Sequence, residues 1–172
     1  MQATSETRWF VVVPSPVGEL VIVSDGAAVT GIHFPGHTAP DPGWAAGPDP
    51  GGCLAEAAAQ LTAYFSGERR DFDLPLAPDG TPFQRAVWDA LATVPYGATT
   101  SYGELAAAIG RPGSARAVGA ANGANPLAIV VPCHRVVGAD GTLTGYAGGL
   151  DAKRRLLDLE HASSFWPRNR VP

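Results

Sequence analysis

Ile129-Val130-Val131-Pro132-Cys133-His134-Arg135-Val136-Val137-Gly138 sets a thiol beside an imidazole, between two runs of β-branched residues. The runs predict strand and core on either side. A buried strand ordinarily holds neither a proline nor three polar or polarisable groups in succession, so the apolar pattern is broken here for a reason. Cysteine is the strongest side-chain nucleophile at neutral pH, and histidine is the group best suited to take its proton. A solitary cysteine is also a common small core residue, so the pair draws its meaning from its surroundings. If the stretch is extended, Cys133 and His134 point to opposite faces, and a proton would pass between them through a water.

Upstream, Asn125-Pro126 predicts a turn whose asparagine side chain caps backbone groups. Before it, Ser114 is placed to cap a helix running through about Asn122. Ala115, Ala117, Gly119, Ala120, Ala121 and Gly123 leave that segment nearly bare, with Arg116 as its only long side chain. A surface so smooth either packs closely on its own lobe or lies close to a nucleic-acid backbone. It has few groups with which to read base edges, which suits a sequence-indifferent DNA binder, in the minor groove, better than a repressor. Ser101-Tyr102-Gly103-Glu104 is a capping box that opens a helix over Tyr102–Ile109, closed by Gly110. Joined through Gly110-Arg111-Pro112-Gly113, the two helices resemble a helix-turn-helix. Thr81-Pro82 opens a further helix to about Ala92.

Nearer the N-terminus the period changes. Trp9–Pro14, Gly18–Ser24 and Ala28–Phe34 are rich in Val and Ile, are broken by Pro-Val-Gly and Asp-Gly, and predict a short antiparallel meander. Gly36–Gly52 is a long loop of Pro, Gly, Ala and Asp, Leu54–Phe65 has helical spacing, and Leu74–Gly80 is the hinge. The expected fold is α/β in two domains. Residues 1–78 form a small α/β lobe with an antiparallel meander. Residues 79–172 form a mainly helical lobe with the helix-turn-helix and the cysteine. No internal repeat is visible.

The net charge of −4 over 172 residues would by itself argue against a polyanionic partner. Its distribution does not. Residues 1–80 carry three basic and ten acidic side chains, net −7, and residues 81–172 carry nine basic and six acidic, net +3. A local basic face matters more to a polyanion than the total, and this one predicts modest, salt-sensitive phosphate binding. Two cysteines, no CxxC pair, no apolar run of membrane length and a polar start at Met1–Arg8 predict a soluble, cytoplasmic protein with free thiols.

Together these residues resemble the O6-alkylguanine–DNA alkyltransferase family, the methylated-DNA–protein-cysteine methyltransferases. The resemblance is carried by Pro132-Cys133-His134-Arg135-Val136, Ala115-Arg116-Ala117-Val118-Gly119, Asn125-Pro126, Pro95-Tyr96-Gly97 with Ser101-Tyr102, Gly145-Tyr146-Ala147-Gly148-Gly149-Leu150, and Glu160. It spans residues 81–161 in order and is looser over residues 1–80, where it rests on Ser15-Pro16-Val17-Gly18 and the following helix.

The resemblance implies direct reversal of DNA damage. An O6-alkylguanine, and by extension O4-alkylthymine, is rotated out of duplex DNA, because the O6 substituent inside the stack is shielded from in-line attack. Its alkyl group then passes irreversibly to Cys133, once per molecule. On the same basis His134 is the base acting through a water, Glu160 orients it, Tyr102 delivers a proton to O6, and Asn125 builds the turn at the site. Arg116 fills the space left by the base, and Tyr102, Ala115, Ala117, Gly119 and Arg135 face DNA. Val136, Tyr146, Ala147 and Gly148 line the base pocket, with alanine at 147 where the family often has serine. No cofactor, metal, membrane or obligate protein partner is implied, and the protein is expected to be a monomer. Alkylation would place an apolar group in a packed site and lower the stability of the spent protein.

Some features remain outside this reading. His33, His37 and Cys53 offer three zinc ligands without an obvious fourth, so Cys53 is taken as a core or capping-region residue. His161 reads as a surface residue at a helix end. Lys153-Arg154-Arg155 either contacts phosphate or forms a solvated face, and Phe165-Trp166-Pro167 has no assigned role. A lesion-binding damage sensor without repair activity is disfavoured by the presence of Cys133. A helix-turn-helix regulator is disfavoured by the bare third helix, and a cysteine hydrolase by the lack of any such signature.

Overall fold

A computed structural model describes residues 7–34, 36–37 and 39–164; the aromatic tail at 165–167 lies outside them. The Val/Ile runs form β1 (Trp9–Val13), β2 (Leu20–Ser24) and β3 (Val29–His33), paired antiparallel with Val11 opposite Ile22 and Ile22 opposite Ile32. The first hairpin closes through Ser15 and Gly18. Gly18 N–H donates to the Ser15 carbonyl at 3.1 Å, and a φ of 105° reserves the position for glycine. β2 is apolar on both faces and buried along its whole length, as befits a central strand.

The long loop is less featureless than its composition suggests. Ala45–Ala46 forms β4, parallel to β1, giving the order β3-β2-β1-β4. Two alanines carry no β-branched signal, so the strand was invisible to pattern. Helix α1 (Cys53–Phe65) packs on this sheet, with Leu54, Ala57, Leu61 and Tyr64 buried. Its cap is remote: Asp49 Oδ2 accepts from the Cys53 amide at 3.2 Å and Asp49 Oδ1 from the Leu54 amide at 3.1 Å, and Ser24 Oγ donates to Oδ2 at 2.7 Å.

The outer edge of β3 is covered in two halves. Val29 N–H donates to the Pro75 carbonyl at 2.8 Å, and the Val29 carbonyl accepts from the Ala77 amide at 3.0 Å. Ile32 donates to the Pro126 carbonyl at 2.8 Å and accepts from the Ala128 amide at 3.3 Å. Part of the expected hinge is therefore sheet edge. The chain divides into two compact units, Met1–Asp79 with Pro126–Ala128, and Gly80–Asn125 with Ile129–Pro172.

The second unit holds helices α2 (Pro82–Ala92), α3 (Tyr102–Ala108), α4 (Ala115–Gly123) and α5 (Leu150–Ser164). Thr81 with Gln84 and Ser101 with Glu104 form the two capping boxes, each making both reciprocal bonds. Ser114 does not cap α4 with its hydroxyl. Its backbone sits at φ −93°, ψ 26°, not in the extended conformation that aims a side-chain oxygen at the first turn. Trp88 Nε1 donates to the Ala121 carbonyl at 2.9 Å, tying α2 to α4. A two-residue parallel ladder joins β5 (Thr100–Ser101) to β6 (Val136–Val137). Among the described residues no helix is long and apolar enough to cross a membrane.

The stretch before Cys133 is core, as expected, but not strand. Ile129, Val131 and Val136 are buried. Ile129 lies at φ 72°, a costly conformation for a β-branched residue. Pro132 centres an inverse γ-turn, with φ −82°, ψ 63° and the Cys133 amide donating to the Val131 carbonyl at 2.8 Å. Cys133–Arg135 is then one turn of 3₁₀-helix. The proline, which cannot donate to a ladder, turns the chain out of extended geometry just before the thiol.

Candidate active site

The turn is held from upstream by Asn125. Its Nδ2 donates to the Val131 carbonyl at 2.9 Å, and its side chain also hydrogen-bonds Cys133. One amide thus fixes both the γ-turn and the sulfur. Cys133 is 5% exposed. Burial pushes its thiol above the ordinary range, while Asn125, the Lys153 ammonium, its own amide and Tyr146 pull it back down. The resting group is a thiol, with the partners that favour a thiolate already placed around it.

Behind the turn lies a buried charge network. His134 Nε2 meets Glu160 Oε1 at 2.7 Å, Arg135 Nη2 donates to the same oxygen at 2.9 Å, and Arg135 Nε donates to Oε2 at 2.9 Å. Burial alone would raise the Glu160 carboxyl, but its bonds to His134 and Arg135 hold it at about 2. Burial lowers His134, against the pull of Glu160, and so favours the neutral ring. An ionised carboxylate only accepts, so Nε2 carries the ring proton and Nδ1 keeps its lone pair. Nδ1 is buried and bonds no protein group among the described residues, which leaves it able to accept a proton through a water. The 3₁₀ geometry replaces the extended strand behind the opposite-faces expectation.

Arg135 is corrected by this geometry. It was expected to face DNA, yet it is 7% exposed, the Nε/Nη2 edge of its guanidinium is held bidentately by Glu160, and Nη1 donates to the Val94 carbonyl at 2.6 Å. Its Cζ also lies 5.7 Å from the Tyr96 ring centroid. Three of its five N–H groups are engaged inside the fold, with the side chain withdrawn from solvent.

Across the turn stands Tyr102, the first residue of α3. The β5–β6 ladder, which pairs Ser101 with Val137, places it beside the segment that follows Cys133. Its ring lies against Gly119 of α4, where a Cβ would sit 3.6 Å from Cδ1. Its hydroxyl is 2.8 Å from Thr144 Oγ1. Lys153, read as a phosphate contact or a solvated residue, is neither. It is 0% exposed, its Nζ donates to the Thr144 carbonyl at 2.9 Å and lies 6.0 Å from the Tyr146 ring centroid, and its charge couples to Cys133. A signal for it existed: Lys153, Leu156 and Glu160 are spaced three and four apart and share the buried stripe of α5.

Around this centre Val136 is buried, Tyr146 and Gly148 are half-buried and Ala147 is exposed. On α4, Arg116 and Ala117 are exposed while Ala115 and Gly119 are half-buried, so the bare helix turns its one long side chain outward. His161 is exposed near the end of α5. Cys53 is a buried thiol whose Sγ donates to the Ala27 carbonyl at 3.2 Å. Among the described residues no group of three His, Cys, Asp or Glu side chains could hold a metal ion.

Comparison with known proteins adds to this geometry. Residues 82–162 match the family model of the 6-O-methylguanine DNA methyltransferase DNA binding domain, and residues 10–78 match that family's ribonuclease-like domain. A protein of Mycobacterium tuberculosis named methylated-DNA–protein-cysteine methyltransferase is 52% identical over 148 residues, covering 86% of this chain and 89% of its own length. One of the same name from Methanosarcina acetivorans is 47% identical over 156 residues, covering 88% and 97%. The crystal structure of Mycobacterium tuberculosis OGT in complex with DNA superposes with a TM-score of 0.84 at 49% identity, covering 90% of this chain and 94% of that one.

Proposed function

The chain belongs to the 6-O-methylguanine DNA methyltransferase family, and on that premise we propose that it removes the alkyl group from O6-alkylguanine in duplex DNA and keeps it on Cys133. It is a DNA-binding methyltransferase of direct-reversal repair. The observation that carries the proposal is the buried Cys133 thiol, hydrogen-bonded by Asn125, felt electrostatically by Lys153 and backed by the His134–Glu160–Arg135 network.

In this reading residues 79–172 carry the DNA-binding and acceptor machinery. Arg116, outward on α4, enters the duplex and takes the place of the extruded nucleotide, while Ala115, Ala117 and Gly119 let the helix approach the backbone. The base enters beside Val136, Tyr146, Ala147 and Gly148. Nδ1 of His134 receives the Cys133 proton through a water, and Glu160 stabilises the imidazolium that forms. The thiolate attacks the alkyl carbon, the carbon–oxygen bond breaks with its electron pair on guanine, and Tyr102 delivers a proton to O6. The thioether so formed is a poor electrophile for water, so one molecule repairs one lesion. The protein acts as a cytoplasmic monomer without an obligate partner.

The test is mass spectrometry of the intact protein and its peptides after mixing with a duplex containing one O6-methylguanine, beside a Cys133→Ala control. One methyl on the Cys133 peptide, saturating at one per molecule and absent from the control, is expected. An unmodified protein that still binds the lesion tightly would be a damage sensor instead. Neither modification nor lesion preference would end the repair reading.

A further inference from the structure

We propose that Thr144 is a positioning residue for the reaction, holding the Tyr102 hydroxyl toward the base and donating to the phenolate left when Tyr102 gives up its proton. The inference rests on the alkyl-transfer reading above and adds to it a residue in the loop before α5.

The two hydroxyls are 2.8 Å apart, and either can be the donor. That symmetry decides the chemistry. A carbonyl or carboxylate in place of Thr144 Oγ1 would only accept, and would hold the phenol proton away from the base. A hydroxyl can reverse. With an empty pocket Tyr102 can donate to Thr144. When guanine arrives Tyr102 turns its proton to the base, and Thr144 donates into the oxygen that is acquiring charge. The bond survives the reversal and strengthens as charge develops, which lowers the barrier without tightening the ground state.

Thr144 is itself anchored. Its carbonyl accepts from Lys153 Nζ at 2.9 Å, and Lys153 is wholly buried, so the loop at residue 144 is tied to α5 by a cation that cannot swing into solvent. On the other side Tyr102 is fixed by its place at the start of α3 and by contact with Gly119. The protons balance. The Cys133 proton goes to His134 and the Tyr102 proton to guanine. After the repaired base leaves, the proton on His134 returns through solvent to the phenolate, leaving S-alkyl cysteine and guanine as the only net changes.

The experiment is single-turnover repair of an O6-methylguanine duplex by the full chain, giving a maximal rate and a half-saturating DNA concentration for each variant. Thr144→Val, which removes the hydroxyl at constant shape, is expected to lower the maximal rate about 10-fold, the worth of a hydrogen bond to a developing charge, with half-saturation unchanged. Thr144→Ala, which avoids the added methyl, should match it, and Thr144→Ser should restore the rate. In a Tyr102→Phe background Thr144→Val should cost nothing further, because the group it serves is gone. Thr144→Val at the wild-type rate would overturn the inference, as would an equal loss in the Tyr102→Phe background or a Thr144→Ser variant as slow as Thr144→Val. A wild-type protein that never takes the methyl would overturn the parent reading along with it, whereas a repairing wild type matched by Thr144→Val would overturn this one alone.

Discussion

His134 Nε2 and Glu160 Oε1 lie 2.7 Å apart with both side chains withdrawn from solvent, 26 residues apart in the chain. The pair joins the 3₁₀ turn bearing the thiol to α5, so in the proposed reaction the imidazole that accepts the proton would also anchor the turn. Their titrations push stability in one direction. Burial lowers His134 from its ordinary 6.5, so the unfolded chain binds more protons below that value and stability falls as pH drops through it. Glu160 is held at about 2 against an ordinary 4.5, so its contribution is complete above 4.5 and is lost as pH falls toward 2. The second limb is worth on the order of 3 kcal/mol. Melting temperature measured from pH 7 to pH 2 should decline in both windows, and Glu160→Gln should flatten the lower one.

Arg135 is predicted to serve the fold and not the DNA. Arg135→Ala strands a buried carboxylate beside His134, which typically costs about 3–5 kcal/mol. Denaturant unfolding should register that loss. The slope of DNA affinity against salt concentration should stay at the wild-type value, since no phosphate contact is removed.

Arg116 should behave in the opposite way. It is exposed on α4, so Arg116→Ala is expected to leave the melting temperature within about 2 °C of wild type. Repair of a lesion in duplex DNA should slow by at least about ten-fold, while reaction with the free O6-alkylated base, which needs no extrusion, should be little changed. Parallel rate measurements on the two substrates separate these outcomes.

Lys153→Met keeps the length of the side chain and removes its charge. The Cys133 thiol, already raised by burial and pulled down in part by Lys153, should move further up. Each tenfold loss of thiol acidity lowers the thiolate fraction about ten-fold at neutral pH. Iodoacetamide labelling of the Cys133 peptide across a pH series should show the midpoint displaced upward relative to wild type. An unmoved midpoint would mean the ammonium does not reach the sulfur electrostatically.

Most of the architecture is legible in sequence because it is set by local chemistry. Thr81-Pro82 and Ser101 with Glu104 announce their helices through caps made within four residues, and the Val/Ile runs announce the meander. Residues 129–135 are not legible this way. Their β-branched composition favours extension, but Pro132 and the Asn125–Val131 bond bend the chain, and Ile129 takes a left-handed conformation that local preference would refuse. Charge also misleads where burial is decided at a distance. Arg135 and Lys153 look like surface residues until Glu160, Val94 and Thr144 are placed beside them, from 25, 41 and 9 residues away. The smooth helix α4 is read correctly in outline, but the absence of a Ser114 hydroxyl cap depends on a backbone angle that composition does not encode.

The doubly covered edge of β3 has a consequence for synthesis. Residues 75–77 are available soon after the strand itself, but Pro126–Ala128 emerges from the ribosome more than ninety residues later than Ile32, to which it bonds. Until then half of a sheet edge stands open, and open edges invite pairing with other chains. The N-terminal lobe therefore cannot finish maturing as an early, autonomous product of translation. Its completion waits on the chain just short of the reactive turn, so a polypeptide truncated before residue 126 would lack both the alkyl acceptor and the last seam of its first lobe.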